Sequence, residues 1–271
     1  MAYLYETHLH TCQSSACASA AGREYIPYYL DAGYSGIVVT DHFFRGNSTL
    51  DPYLPWRAWV REFCRGYEDA REEGARRGLD VFFGWEETFE GDDYLVYGLD
   101  KEWLLEHPEV RRWTRREQYQ AVQAAGGCVV HAHPFRQHDY IEEVCLAPRL
   151  IDAVEVANAG NREQGYDALA LRYAEKLGLP LSAGSDIHHI EQAEAGELYG
   201  VYLREKPENS AAFAAMIKAG EVRGTADLRI EAGRLESRGD EALHTPLKIL
   251  DETEQPISRN FWDFLRAGTN T

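Results

Sequence analysis

A chain of 271 residues with 44% hydrophobic and 27% charged side chains is long enough for one large α/β core and gives no reason to invoke wholesale disorder. Its formal charge of −17 repels a phosphate backbone, so nucleic acid is not an expected partner, and no run approaches the roughly 18 apolar residues of a membrane helix. The five cysteines are odd in number and contain no CxxC pair, and the first residues lack a basic stretch followed by an apolar run. The expectation is a cytoplasmic protein with reduced thiols and no signal peptide.

In chain order, strand-like runs alternate with helical stretches. A strand over 2–9 precedes a helix over 23–32 and a strand over 36–40. Residues 55–77 place Trp56, Trp59, Val60, Phe63 and Tyr67 at three- and four-residue spacing, which predicts one amphipathic helix opened by Pro55 and closed by Gly78. Strands are expected over 81–85, after a turn at 91–93 over 94–98, and over 127–131 behind a helix at 114–125. Strands at 153–156, 180–185 and 199–203 and helices at 164–177 and 210–219 complete the alternation, which predicts a mainly parallel sheet. A barrel of about seven strands is preferred to an open sheet, because strand ends converge more readily on one point when the sheet closes. The division expected is a barrel over 1–224 and a short C-terminal extension over 225–271 that packs on it.

The chemistry-bearing residues sit at the ends of these strands: His8-Leu9-His10, Asp41-His42, His131-Ala132-His133 and Asp186-Ile187-His188. Residues two apart on a strand point to one side, so His8 with His10, His131 with His133, and Asp186 with His188 can each aim at one place. A lone histidine is more often a satisfied core polar group. Four recurrences at strand mouths instead suggest a divalent-metal site, with Zn, Mn or Fe suited to imidazole and carboxylate donors.

Five stretches in order, Thr7-His8-Leu9-His10-Thr11, Val39-Thr40-Asp41-His42, Gly84-Trp85-Glu86, His131-Ala132-His133-Pro134 and Gly184-Ser185-Asp186-Ile187-His188, resemble the PHP family, named after polymerase and histidinol phosphatase domains. The resemblance spans roughly residues 5 to 190. It implies a distorted (β/α)7 barrel and a metal-dependent phosphoesterase. It also implies that His8, His10, Glu86 and Asp186 hold one metal, that Glu86 bridges to a second bound by His133, and that His42 and His188 hold a third. A carboxylate bridging two cations lets them share and activate a water, the attacking group in such hydrolysis.

The chain departs from the three-metal pattern twice. Where a histidine follows the first by about eight residues in such proteins, this chain has Ala16 with Cys17 beside it. Where a histidine follows Gly-x-Glu on the next strand, it reads Tyr94-Leu95-Val96. Two ions are therefore expected more firmly than three, with His131 a candidate substitute ligand. Cys12 and Cys17 are either soft-metal ligands or small core residues.

Other residues carry two readings each. Arg136 either grips phosphate oxygens with its planar fork or pairs with Asp139 at the surface. Arg45 contacts substrate or does not, and Glu87 faces away from Glu86 into core hydrogen bonds. Asp41 orients a ligand histidine or touches a metal. Asn158 lines the pocket or caps a turn, His138 and His189 stay off the ligand set, and Trp56, Trp59, Trp85, Tyr53 and Tyr94 form either a pocket or core. The expected catalytic set is Glu86, Asp186, His188 and Arg136, acting on a small phosphorylated metabolite. Two rivals stand beside this: an amidohydrolase-type C–N hydrolase, for which none of Lys101, Lys176, Lys206, Lys218 and Lys248 falls on a predicted strand, and a non-catalytic metal-binding module.

Overall fold

The computed structural model describes residues 2–139, 141–161, 164–225 and 243–267. The strands are β1 (Tyr3–Leu9), β2 (Gly36–Val39), β3 (Asp80–Phe89), β4 (Asp92–Tyr97), β5 (Cys128–Ala132), β6 (Val144–Leu146), β7 (Ala153–Asn158), β8 (Leu181–Gly184), β9 (Val201–Leu203), β10 (Val222–Thr225), β11 (Leu247–Leu250) and β12 (Pro256–Ser258). Nine of them form one sheet in the order β10-β9-β1-β2-β3-β4-β5-β7-β8. The chain just past β8 returns to β1, where Leu9 bridges Ile187 and His10 N–H donates to the Ile187 carbonyl at 3.0 Å. The sheet is thus a nearly closed barrel, as the convergence of strand ends implied, but with nine strands rather than about seven.

The sheet is mixed, not mainly parallel. β1–β2–β3 and β5–β7–β8 run parallel, whereas β4 is antiparallel to both β3 and β5, and β9 is antiparallel to β1 and β10. The cause at β4 is a two-residue hairpin turn, Glu90-Gly91, with φ of 55° and 90°. The sequence reading placed that turn at 91–93, one residue later at its start and two at its end. As a result Asp92 and Asp93, taken for turn residues, belong to the strand.

The helices are α1 (Gly22–Asp31), α2 (Trp56–Phe63), α3 (Arg65–Arg77), α4 (Lys101–Glu106), α5 (Arg115–Ala124), α6 (Gln164–Leu177), α7 (Ile190–Glu194), α8 (Ser210–Lys218) and α9 (Phe261–Arg266). The single helix expected over 55–77 is two, α2 and α3, meeting at Cys64; Gly78 ends α3 in the left-handed conformation (φ 88°) as read. Alternation along each strand sorts side chains between the barrel interior and its outer face, where Leu9, Ile37, Val39 and Val81 pack on Tyr25, Ile26 and Tyr29 of α1 as a separate cluster. Phe82, Leu95, Tyr97 and Val130 fill the barrel with Phe213 and Ile217 of α8, while Phe83, Trp85, Val96 and Val129 face the outer helices with Trp59, Phe63 and Tyr173. Because α8 packs on Tyr5 at the start of β1 and Tyr97 at the end of antiparallel β4, it closes the end of the barrel away from the strand mouths.

Residues 226–242 of the expected extension lie outside the described residues. Beyond them, β11 pairs parallel with β6 and antiparallel with β12. Phe261 of α9 then packs on Phe135 with ring centroids 4.8 Å apart, bracing the loop that carries His133 and Arg136. Among the described residues no helix is long and apolar enough to cross a membrane.

One buried carboxylate clamps β1 to the end of β8. Glu6 accepts from the backbone N–H groups of Thr7 (2.9 Å), His8 (2.8 Å) and Ser185 (2.9 Å), from Tyr29 Oη (2.7 Å) and from the Ser185 hydroxyl. Removing it leaves several buried donors unsatisfied. Glu6→Ala is therefore expected to cost about 2–4 kcal/mol, read as a lower urea midpoint with an unchanged slope.

Candidate metal centre

The mouths of β1, β2, β3, β5 and β8, with the start of β4, converge on the Glu86 carboxylate. Its Oε1 lies 3.1 Å from His8 Nε2 and 3.2 Å from His133 Nε2; its Oε2 lies 2.7 Å from His42 Nδ1 and 3.6 Å from His10 Nε2. Asp186 Oδ1 sits 3.4 Å from His8 Nε2 and 3.1 Å from His10 Nε2. Every expected ligand, namely His8, His10, His42, Glu86, His133, Asp186 and His188, is in this cluster. Donor atoms gather within 4.8 Å of one another in four sets: His8/His10/Glu86, His8/His133/Asp186, Glu86/Asp93/His133 and His10/His42/His188.

Two of these positions depend on backbone that sequence parity does not foresee. His133 (φ 27°) and Asp186 (φ 52°) are non-glycine residues in the left-handed region, where each costs roughly 1–3 kcal/mol. The twist swings His133 inward just past β5, while His131, on the strand itself, faces outward. His131 stacks on Tyr94 at 4.7 Å, lies edge-on to Tyr173, and is in none of the donor sets. Gly184 lets β8 approach closely, since a Cβ there would stand 2.4 Å from His8 Cβ.

The supporting contacts fix the tautomers. His8 Nδ1 faces Glu155 Oε1 at 3.0 Å, His188 Nδ1 the Asp186 carbonyl at 2.8 Å, and His10 Nδ1 the Ser15 hydroxyl at 3.3 Å. Ser15 in turn donates to Asp41 Oδ1 at 2.7 Å. With Nδ1 carrying a proton, Nε2 of His8 and His10 would be the nitrogen offered to an ion bound among the carboxylate oxygens. Asp41 thus orients His10 through Ser15 rather than by direct contact, and its other bonds, from Thr11 N–H (2.6 Å) and Oγ1 (2.7 Å), tie down the loop after β1. Glu155 was not singled out from sequence, although a glutamate inside the apolar run Ala153-Val-Glu-Val-Ala157 was the available signal.

Divalent cations fit this donor set. His8 Nε2, His42 Nδ1 and Glu86 Oε2 are buried without a hydrogen-bonding partner, although His42 Nδ1 and Glu86 Oε2 are only 2.7 Å apart. Donors that crowd together out of hydrogen-bond alignment are arranged to point at a common ion. The charge balance agrees: Glu86, Asp93, Glu155 and Asp186 surround the centre, where Arg136 is paired with Asp186 at 2.6 Å.

The ionisation of these groups follows from burial and neighbours. Burial pushes His8 down, but Asp186, Glu155 and Glu86 outweigh it and hold its pKa well above the ordinary value. Burial and the facing His188 and His42 hold His10 well below it. Glu86 and Asp186 stay well below the usual carboxylate range; burial opposes this, but His42 and His8 act on the first and Arg136 and His8 on the second. Asp93 is pushed up to about 6 by desolvation and by Glu86.

Asp93 is the ligand candidate that sequence reading missed. Because β4 is antiparallel, the start of that strand, not its end, lies at the mouth, and Asp93 Oδ2 comes within 3.9 Å of His133 Nε2. Arg136 is held inside the pocket rather than at the surface: Nη1 donates to Asp186 Oδ2 (2.6 Å), Nη2 to Asn158 Oδ1 (2.6 Å) and Nε to Asn161 Oδ1 (2.9 Å). Asn158 therefore serves the pocket by positioning this fork. Arg45 lines the pocket but is spent on buried Glu87 (2.7 Å) and the Trp113 carbonyl (2.6 Å). Trp56, Trp59, Trp85 and Tyr94 are core, and Tyr53 is 92% exposed, so no aromatic wall forms from them. His189 lies 2.8 Å from the Ser19 hydroxyl and outside the donor sets.

Asp93 binds a cation only as carboxylate, so protons compete for it below about pH 6. Equilibrium dialysis with elemental analysis should show affinity at the Glu86/Asp93/His133 position falling by about tenfold per pH unit below that value. Asp93→Asn should lose that ion, whereas His131→Phe should bind as wild type does.

No family model and no curated protein sequence matches the chain. Its fold is found among solved structures. A two-domain protein from Bacteroides vulgatus containing a predicted PHP-like metal-dependent phosphoesterase superposes with a TM-score of 0.59 at 16% identity, over 82% of this chain and 64% of the other. This chain therefore spans somewhat under two thirds of that protein's length. PsfC from Pseudomonas syringae superposes with a TM-score of 0.53 at 17% identity, over 89% of this chain and 97% of the other. The fold is that of a PHP-like protein, in agreement with the order of motifs along the sequence.

Proposed function

We propose that this protein is a metal-dependent phosphoesterase of the PHP type that hydrolyses a small phosphomonoester. The observation that carries the reading is the Glu86 carboxylate ringed by His8, His10, His42 and His133 beside Asp186, at the floor of a cavity of about 450 Å³ also lined by Arg136. A cavity of that size suits a small metabolite. His8, His10, Glu86 and Asp186 would hold one ion, and Glu86, Asp93 and His133 a second, with Zn, Mn or Fe fitting the donors. Bound divalent ions supply Lewis acidity toward phosphate oxygens and lower the pKa of water.

The chain's own residues do the rest. Arg136 offers a positioned cation to the phosphoryl group, its fork already oriented by Asp186, Asn158 and Asn161, so little ordering remains when substrate arrives. The departing alkoxide needs a proton. His188 and His42 line the same cavity, and although burial opposes it, their neighbours hold both above the ordinary imidazole pKa, so either can be the donor. Asp41 and Glu155 act behind His10 and His8 as positioning residues.

Hydrolysis of a C–N bond is the weaker reading. Lys101, Lys206 and Lys248 are paired with Glu68, Asp80 and Glu90, Lys218 bonds the Gly127 carbonyl, and Lys176 reaches the Ala267 carbonyl. No lysine lines the cavity, so a lysine-derived bridge between two ions is not available.

Protein reconstituted with Mn or Zn should release inorganic phosphate from a panel of small phosphomonoesters. Asp186→Asn should lower kcat/KM at least about 100-fold, and Arg136→Met should mainly raise KM. Metal-bound protein that hydrolyses amides or lactams but no phosphomonoester would overturn the assignment. No turnover on either panel would favour a binding module.

A further inference from the structure

A second cavity adjoins the first at Arg136. It measures about 830 Å³ and shares Cys17, Arg136, Asp186 and His188 with the first, so the two meet along that row of side chains. Cys17 is in none of the donor sets. Part of the wall is bare main chain: a Cβ on Gly160 would stand 2.9 Å from Asp186 Oδ2 and 3.0 Å from Arg136 Nη2, so glycine lets the backbone lie close against that ion pair. Another part is α7 with its flanking residues, which carry His189, Gln192 and Glu197.

The α7 segment is held by its own bonds. Gln192 Oε1 accepts from the N–H groups of His188 (2.8 Å) and His189 (3.0 Å), and Glu197 N–H donates to the Gln192 carbonyl at 2.9 Å. The amide oxygen of Gln192 is thus committed, and its NH2 is the end left for a ligand. His189 Nδ1 is engaged by the Ser19 hydroxyl at 2.8 Å, which leaves Nε2. Glu197 is exposed, and among the described residues its carboxylate has no hydrogen bond or ion pair.

An ester held by the proposed ions and Arg136 has two places to put its alcohol. In the first cavity the acidic wall is already engaged: Asp93 accepts from Thr88 Oγ1 at 2.5 Å beside the proposed second ion, and Asp92 accepts from Cys145 N–H at 2.7 Å. In the second, an amide donor, an imidazole nitrogen and a carboxylate acceptor remain available. A hydroxyl both donates and accepts, so several hydroxyls match this set, whereas an ammonium only donates and would meet the Gln192 NH2 as a like group. A second anion is opposed by Glu197, and the cavity has no lysine and no arginine beyond Arg136.

We propose that the second cavity binds the alcohol portion of the substrate and selects a neutral, hydroxyl-rich group, with Gln192 and Glu197 as the residues that determine specificity. The inference rests on the phosphoesterase reading, which puts the phosphoryl group at Arg136.

The test is steady-state phosphate release and isothermal titration calorimetry on metal-loaded full-length protein with four matched monoesters: sorbitol phosphate, hexyl phosphate, aminohexyl phosphate and phosphogluconate. Sorbitol phosphate should show kcat/KM at least about tenfold above hexyl and aminohexyl phosphate and bind correspondingly tighter, with phosphogluconate the poorest. Glu197→Ala should raise KM for sorbitol phosphate about tenfold with kcat little changed, and Glu197→Lys should make phosphogluconate the preferred ester. Wild-type metal content in both variants, read by elemental analysis, separates this effect from damage to the metal centre. Equal turnover of sorbitol and hexyl phosphate, a wild-type preference for the amine or the acid, or a Glu197→Ala enzyme that keeps the wild-type preference overturns the cavity assignment alone. Tighter binding of sorbitol phosphate than of hexyl phosphate with no phosphate release overturns the phosphoesterase reading and leaves the cavity assignment standing. No binding and no release overturns both.

Discussion

The carboxylate of Glu86 is the point to which the rest of the molecule is built. It is 1% exposed, and four imidazoles from the mouths of three strands, β1, β2 and β5, reach it. A buried carboxylate is tolerable only when charge and hydrogen bonds compensate it. Here, although burial opposes it, Glu86 and its neighbours hold His8 and His42 above the ordinary imidazole pKa, so imidazolium charge compensates the carboxylate, while Nδ1 of His8 and of His10 is engaged by Glu155 and Ser15. A shared cation would take over that compensation, and it would also satisfy the buried polar atoms of His8, His42 and Glu86 that lack a hydrogen-bonding partner.

Such an arrangement is held by the frame around it. Glu6 fastens β1 to the residues just after β8, so His8 and Asp186 are set by one clamp. Asp41, Thr11 and Ser15 fasten the loop after β1 to the end of β2, which sets His10 relative to His42. Phe261 presses on Phe135 and thereby on the His133–Arg136 loop. The left-handed backbone at His133 and Asp186 is sustained because these neighbours over-determine it.

Polarity is distributed unevenly within the pocket. Acidic groups dominate one side through Asp93 and Glu86, whereas the other side carries Arg136, held by Asp186, Asn158 and Asn161; Arg45 is tied to Glu87 and the Trp113 carbonyl. For a chain this acidic, the proposed phosphate binding would depend on a local positive field from bound ions and one oriented arginine, not on overall charge.

How much of this was legible beforehand follows from the range of the forces involved. Apolar alternation and helix periodicity are local, and they placed most strands and helices and the candidate ligands His8, His10, His42, Glu86, His133, Asp186 and His188 at strand mouths. Strand direction is not local. The Glu90-Gly91 turn reversed β4, put Asp93 rather than His131 beside His133, and made the sheet mixed. Parity rules assume an unbroken strand, so they could not foresee the positive φ that turns His133 inward and leaves His131 against Tyr94. Residue chemistry and periodicity by themselves determined that metal-binding groups would gather at one end of an α/β barrel. Which groups meet there was decided only by tertiary structure, because it depends on strand direction and backbone twist, set by packing between distant segments.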